Sequence, residues 1–183
     1  MADLTALGKV KDWLGLESSD DDALLSRMII ALSGYIQSWL NRSLVSQSHE
    51  ETRDGNGSRK IMLSNYPISA VVSLTIDGVV IPQAANSQGA GFMVTPNLII
   101  LVGGYVFTRG LQNIVVTYTA GFFTVPAEIE QACIEVIAIR YKERDRIGQV
   151  SKSIGGETVS FSQKDFPDSV RTILNNYKKV VPM

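Results

Sequence analysis

Residues 113–146 read NIVVTYTAGFFTVPAEIEQACIEVIAIRYKERDR, a strand, a turn and a long helix in immediate succession. Ile114, Val116 and Tyr118 alternate with Val115, Thr117 and Thr119, a β-rich run of period two. Ala120-Gly121 breaks the run. Pro126 follows where a helix begins, since its missing N–H is harmless there. Glu128 and Glu130 place negative charge at the positive end of the helix dipole. Ile129, Ala132, Cys133, Val136, Ile137, Arg140 and Tyr141 then recur at helical spacing. Ile134, Ala138 and Ile139 lie off that face, which predicts cover on more than one side. From Arg140 the composition turns charged, as for a helix emerging into solvent or into a partner.

Outward from this stretch, Thr5 is the expected cap of a short helix with Leu7, Val10, Trp13 and Leu14 on one side and Gly15 as its stop. Asp20 to Asp22 open a second helix. Leu24, Leu25, Met28, Ile29, Leu32, Tyr35, Ile36, Trp39 and Leu40 form its broad apolar stripe, and the 127–146 helix is its natural partner. Between Ser46 and Thr119 helical periodicity gives way to short strands and turns. Asp54-Gly55-Asn56-Gly57 reads as a tight turn and Asp77-Gly78 as a two-residue hairpin. Beyond Arg146, Gly148 to Gly156 reads as a Gly/Ser-containing linker. Residues 165–179 read as a short helix carrying Val170, Ile173, Leu174 and Tyr177.

The predicted fold class is α+β: a small helical bundle with an inserted antiparallel β-sheet and an extended C-terminal arm ending in a short helix. Helices over 5–14, 21–41 and 127–146, with the β insertion over 46–119, make a core of 1–146. Residues 147–183 make the arm.

Composition narrows the function classes. The 183 residues are 45% hydrophobic, enough for a core. Seventeen Lys+Arg against 18 Asp+Glu leave a net charge of −1, unlike a dedicated nucleic-acid binder. One Cys excludes an internal disulfide, and nothing at the N-terminus reads as a signal peptide. No run of ~18 apolar residues predicts a membrane span. These features point to a soluble protein made inside the cell.

No catalytic constellation emerges. His49, the only histidine, sits beside Glu50 and Glu51 and reads as a solvated surface residue. Cys133 lies within an apolar helix face and reads as a small buried hydrophobe. One Cys and one His exclude a zinc site of usual composition. Asp54 to Ser58 resembles the opening of a calcium loop, but Arg59 and Asn65 stand where Gly and Glu are required. The expectation is no enzymatic activity, no metal and no cofactor.

The ordered set carries a resemblance. A short Trp-Leu-Gly helix precedes an acidic Asp-Asp-Asp-Ala-Leu-Leu start and a helix ending Tyr35-Ile36-Gln37-Ser38-Trp39-Leu40-Asn41-Arg42. Asn65-Tyr66-Pro67-Ile68-Ser69, the 72–78 hairpin and Val116 to Phe122 follow. A Pro-initiated helix then runs into Arg140-Tyr141-Lys142-Glu143-Arg144. This resembles the head–tail connector (adaptor) proteins of tailed double-stranded-DNA bacteriophages over Leu4 to Arg146, and more loosely beyond. The resemblance implies a virion protein of the neck, made in the bacterial cytoplasm, with no membrane partner. It implies a homo-oligomeric ring beneath the portal, dodecameric by the portal's symmetry, which joins capsid to tail and extends the DNA channel. The implied partners are the portal protein, a downstream neck or tail protein, and DNA in the channel by non-specific proximity. The arm is the implied docking segment, with Phe161, Phe166, Val170, Ile173, Leu174, Tyr177, Lys178 and Lys179 as contacts to portal or neighbouring subunit. The alternative is that this segment folds back on its own domain. Arg140, Lys142, Arg144 and Arg146 are candidates for channel or subunit contacts. Another neck or tail-completion protein (a stopper or tail terminator) is the rival reading, and a small DNA-binding regulator a further one.

Overall fold

The computed structural model of the chain describes residues 3–144, 151–154, 157–160 and 166–179. The chain forms two compact units, residues 1–41 with 125–183 and residues 42–124.

The first unit is helical. Its helix α1 spans Leu7–Leu14 and α2 spans Asp22–Leu40. Ala6, not Thr5, precedes α1, and Thr5 instead directs its hydroxyl to Glu130, 3.4 Å away. Gly15 ends α1 at φ 68°, and the N–H of Leu16 closes the turn on the Lys11 carbonyl at 3.0 Å. Helix α2 buries Leu25, Ile29, Ser33, Ile36, Gln37 and Leu40. The expected stripe is therefore narrower than read: Leu24, Met28, Leu32 and Trp39 are half-buried and Tyr35 is exposed. Helix α3 spans Ala127–Lys142 and buries Ile129, Ala132, Cys133, Ile134, Val136, Ile137, Ala138 and Tyr141. Burial on both flanks matches the two-sided cover predicted for it, because α3 packs with both α1 and α2.

Strands β8 (Ser151–Ile154) and β9 (Glu157–Ser160) pair antiparallel, so part of the segment read as a linker is strand. Helix α4 spans Asp168–Asn175 and packs on α3. The antiparallel insertion and the short closing helix are thus as predicted, within an α+β fold.

The second unit is all β. Its strands are β1 (Gln47–Gly55), β2 (Lys60–Met62), β3 (Ile68–Ile76), β4 (Val79–Val80), β5 (Gly91–Val94), β6 (Leu98–Val102) and β7 (Gly110–Ala120). They form two antiparallel sheets, ordered β1-β7-β3-β4 and β2-β6-β5, rather than one small sheet. A common core joins them, with Leu74, Val116 and Tyr118 from one sheet against Phe92, Ile99 and Leu101 from the other. Asp77 and Gly78 turn at φ 52° and 77°, the two positive values a tight β3–β4 hairpin needs. Gly121 ends β7 at φ +114°, where a Cβ would lie 2.6 Å from the Val45 carbonyl oxygen. That close approach leaves no room for a side chain at this position.

Candidate functional site

The C-terminal contacts expected to face a partner are partly turned inward. Phe166, Val170 and Leu174 are 4%, 0% and 0% exposed within their own chain. The Phe166 ring stacks on Tyr35 at 5.1 Å and meets Trp39 edge-on at 5.7 Å. Ile173, Tyr177 and Lys179 are half-buried and Lys178 is exposed. Tyr177 donates its hydroxyl to Glu128 of α3, and the Lys179 N–H reaches the Leu40 carbonyl at 3.1 Å, at the end of α2. The Lys178 ammonium lies 4.7 Å above the Trp39 ring. An eight-residue helix cannot stand alone, and α2 and α3 supply the surface it folds on. Phe161 lies outside the described residues.

At the end of α3, Arg140, Lys142 and Arg144 are exposed, and Arg146 lies outside the described residues. The Arg144 guanidinium rests over the Tyr141 ring at 4.1 Å and donates to the Tyr141 carbonyl at 3.2 Å. Tyr141 donates its hydroxyl to Asp21, and that bond pushes the phenol up. Of the described basic run, Arg144 is thus tethered to Tyr141.

The β unit holds the densest polar cluster among the described residues. The inward side chains of β1 are His49, Glu51 and Arg53. Tyr118 donates to Glu51 at 2.7 Å, and the Ser64 backbone N–H and hydroxyl donate to the same carboxylate at 3.0 and 2.8 Å. Arg53 pairs with Glu51 and donates to the Ser64 hydroxyl at 2.9 Å. Burial pushes the Glu51 carboxyl up, but the bonds from Tyr118 and Ser64, with the Arg53 charge, outweigh it and hold it below its usual range. Burial and the Glu51 bond push Tyr118 up to about 12.

His49 is not the solvated residue its polar surroundings suggested. It is half-buried against the Tyr118 ring at 5.5 Å, and Asn65 Nδ2 lies 3.3 Å from its Nδ1. Burial lowers its pKa, against the raising effects of Glu51 and a bond to Ala120. A carboxylate held low is a weak base and a phenol held high is a weak acid. Near neutral pH the cluster therefore keeps Glu51 ionised and Tyr118 neutral, and its bonds pin β1 to the 64–65 segment.

Cys133 is buried as predicted, with Ser33 Oγ 3.9 Å from its sulfur. Burial pushes its thiol up to about 11, which removes the thiolate a nucleophile needs.

The family model for head completion proteins (HCP) matches residues 3–180. The chain belongs to the head completion protein family. That agrees with the connector resemblance of its sequence. No curated protein matches the chain. Among solved structures, a chain from the "Neck of empty GTA particle computed with C6 symmetry" is 19% identical at a TM-score of 0.62, covering 100% of this chain and 96% of that one. Chains from the "Virion of native gene transfer agent (GTA) particle" and the "Neck of native GTA particle computed with C12 symmetry" are each 17% identical, at TM-scores of 0.60 and 0.57 with the same coverage. At these identities the likeness is one of fold.

This head completion protein also carries two surface features that helical periodicity hid. Trp13, placed by spacing on the buried side of α1, is 55% exposed. It lines a groove of about 470 Å³ with Lys9, Asp12, Ala127, Glu130, Gln131 and Ile134. Phe123 is 98% exposed. Its neighbours in Gly121-Phe122-Phe123-Thr124 read only as a turn, and nothing local distinguishes the half-buried Phe122 from the projecting Phe123. Among the described residues no helix is long and apolar enough to cross a membrane.

Proposed function

We propose that this chain is a structural component of the neck of a phage-like particle. In this reading it assembles as a ring beneath the portal, dodecameric like the portal, joins the capsid to the tail and extends the DNA channel. The observation that supports it best is the head completion match over residues 3–180, together with a full-length fold likeness to chains from particle necks computed with C6 and C12 symmetry. Its partners are then copies of itself, the portal protein and a downstream neck or tail protein. Its role is assembly and not catalysis. The densest polar cluster described, around Glu51, is built to hold one protonation state.

In the same reading the C-terminal segment docks on the portal. Phe166, Val170 and Leu174 hold α4 in its seat, and Ile173, Tyr177, Lys178 and Lys179 offer the remaining contacts. Electron microscopy of the purified protein mixed with portal rings tests this. The expected image is a twelve-fold layer under the portal, lost in Lys178→Glu/Lys179→Glu protein that still melts normally. A protein that never associates with portal rings sinks the proposal. Loss on Arg140→Glu/Lys142→Glu instead moves the docking site to the end of α3.

A further inference from the structure

We propose that Phe123 of one copy seats in the Trp13 groove of the next, giving a head-to-tail aromatic contact between copies of this chain. The proposal rests on the ring reading above and names its contact. At 98% exposure Phe123 has almost no packing from its own chain. The two residues before it are held. The Phe122 N–H donates to the Leu44 carbonyl at 2.7 Å, and the Ser46 N–H donates to the Phe122 carbonyl at 3.0 Å. Gly121 is locked against Val45. A fully exposed phenyl next to an anchored segment is a knob whose position the fold already restricts.

The groove chemistry suits an aromatic guest. Trp13, Ala127 and Ile134 give it apolar walls. Lys9 and Glu130 are already paired across 2.7 Å, and Asp12 lines the same groove, so its polar side suits the positive edge of an aromatic ring. A tryptophan wall favours an aromatic ring in offset or edge-on geometry, and a space of about 470 Å³ admits one. Leu111, at 82% exposure, is another projecting apolar side chain, but it lacks the aromatic face. Knob and groove are different patches of one chain. Their pairing is heterologous, the kind of contact that closes into a ring when the rotation between copies allows.

The test uses full-length chains carrying Phe123→Cys or Gln131→Cys, mixed under mild oxidation, with ring formation followed by native mass spectrometry. Cys133 is buried and stays silent, as wild-type protein under the same oxidation confirms. The mixture is expected to form a disulfide that neither variant forms alone. Phe123→Ser is expected to raise the concentration for half-assembly by roughly 10- to 30-fold, the effect of a central hot spot, with an unchanged circular dichroism spectrum. Rings without the 123–131 cross-link overturn the pairing and leave the ring reading standing. Equal self-linking of Phe123→Cys protein overturns it in favour of a symmetric contact. Wild-type protein that stays monomeric, with no cross-link in the mixture of variants, overturns both.

Discussion

The helical unit and the β unit place their charged groups differently. In the helical unit the interior is apolar apart from the uncharged Thr5, Ser33 and Gln37, with Leu25, Ile36, Ile129, Ile137, Val170 and Leu174 at 0% exposure. Its ionic and tyrosine contacts, Lys9–Glu130, Tyr141–Asp21 and Tyr177–Glu128, sit at the edges of the packed faces. In the β unit a carboxylate has moved inside, and Glu51 takes bonds from Tyr118, Ser64 and Arg53. Edge contacts orient elements that apolar burial already holds together. An inward network is different, because each group it leaves unpaired costs its desolvation.

The contrast can be broken at its strongest point by Leu174→Ala. A fully buried leucine truncated in a helix seat should lower stability by about 2–5 kcal/mol, read from urea melts. The two tryptophans, Trp13 and Trp39, both lie in the helical unit, so their fluorescence reports the relevant transition. A loss below ~0.5 kcal/mol, the surface value, would mean that α4 is not part of that core.

Glu51→Gln sharpens the contrast from the other side. Removing the charge while keeping the shape should cost about 1–3 kcal/mol, read from the protection of β-unit amides by NMR hydrogen exchange. Its pH dependence follows from the shifts. Glu51 titrates lower in the fold than its ordinary 4.5, so its contribution is complete above that value and is lost as pH falls through the folded pKa. His49 titrates lower in the fold than its ordinary 6.5, so its neutral form is favoured, and stability declines as pH drops below 6.5 towards the folded pKa. The β unit should therefore begin to weaken below pH 6.5, and Glu51→Gln should flatten only the lower part of that decline. A wild-type profile level from pH 7 to 4 would contradict the network's role.

Smallest is Lys9→Ala. The Lys9 side chain is 59% exposed and its ion pair with Glu130 is solvent-screened, so the loss should lie within ~0–1 kcal/mol and shrink with added salt. A larger, salt-insensitive loss would show that the helical unit, too, depends on an ionic contact.

The elements themselves were legible in the amino-acid order. Period two at Ile114 to Thr119, period 3.6 in α2 and α3, Gly15 as a stop and Asp77-Gly78 as a hairpin each depend on backbone preferences acting over a few residues. So did the buried, inert character of Cys133, which follows from its apolar helical neighbours. What covers each face was not legible, because cover comes from residues far along the chain. Trp13 and Val10 share a helix side by spacing, yet one is 55% exposed and the other fully buried. The apolar stripe of residues 170–177 announced that it needs a surface, and only the tertiary structure chose α3 of the same chain. His49, Glu51 and Arg53 read as a polar strand. Their inward turn follows from the register of β1 on β7, which sets His49 against Tyr118, and from Ser64 and Asn65 arriving to satisfy them. Phe122 and Phe123 are identical to any local rule, and the bridge from Val45 to Phe122 leaves the second in solvent. Periodicity is a property of neighbours in sequence. Burial belongs to neighbours in space, and here both the candidate contacts and the charge states depend on burial.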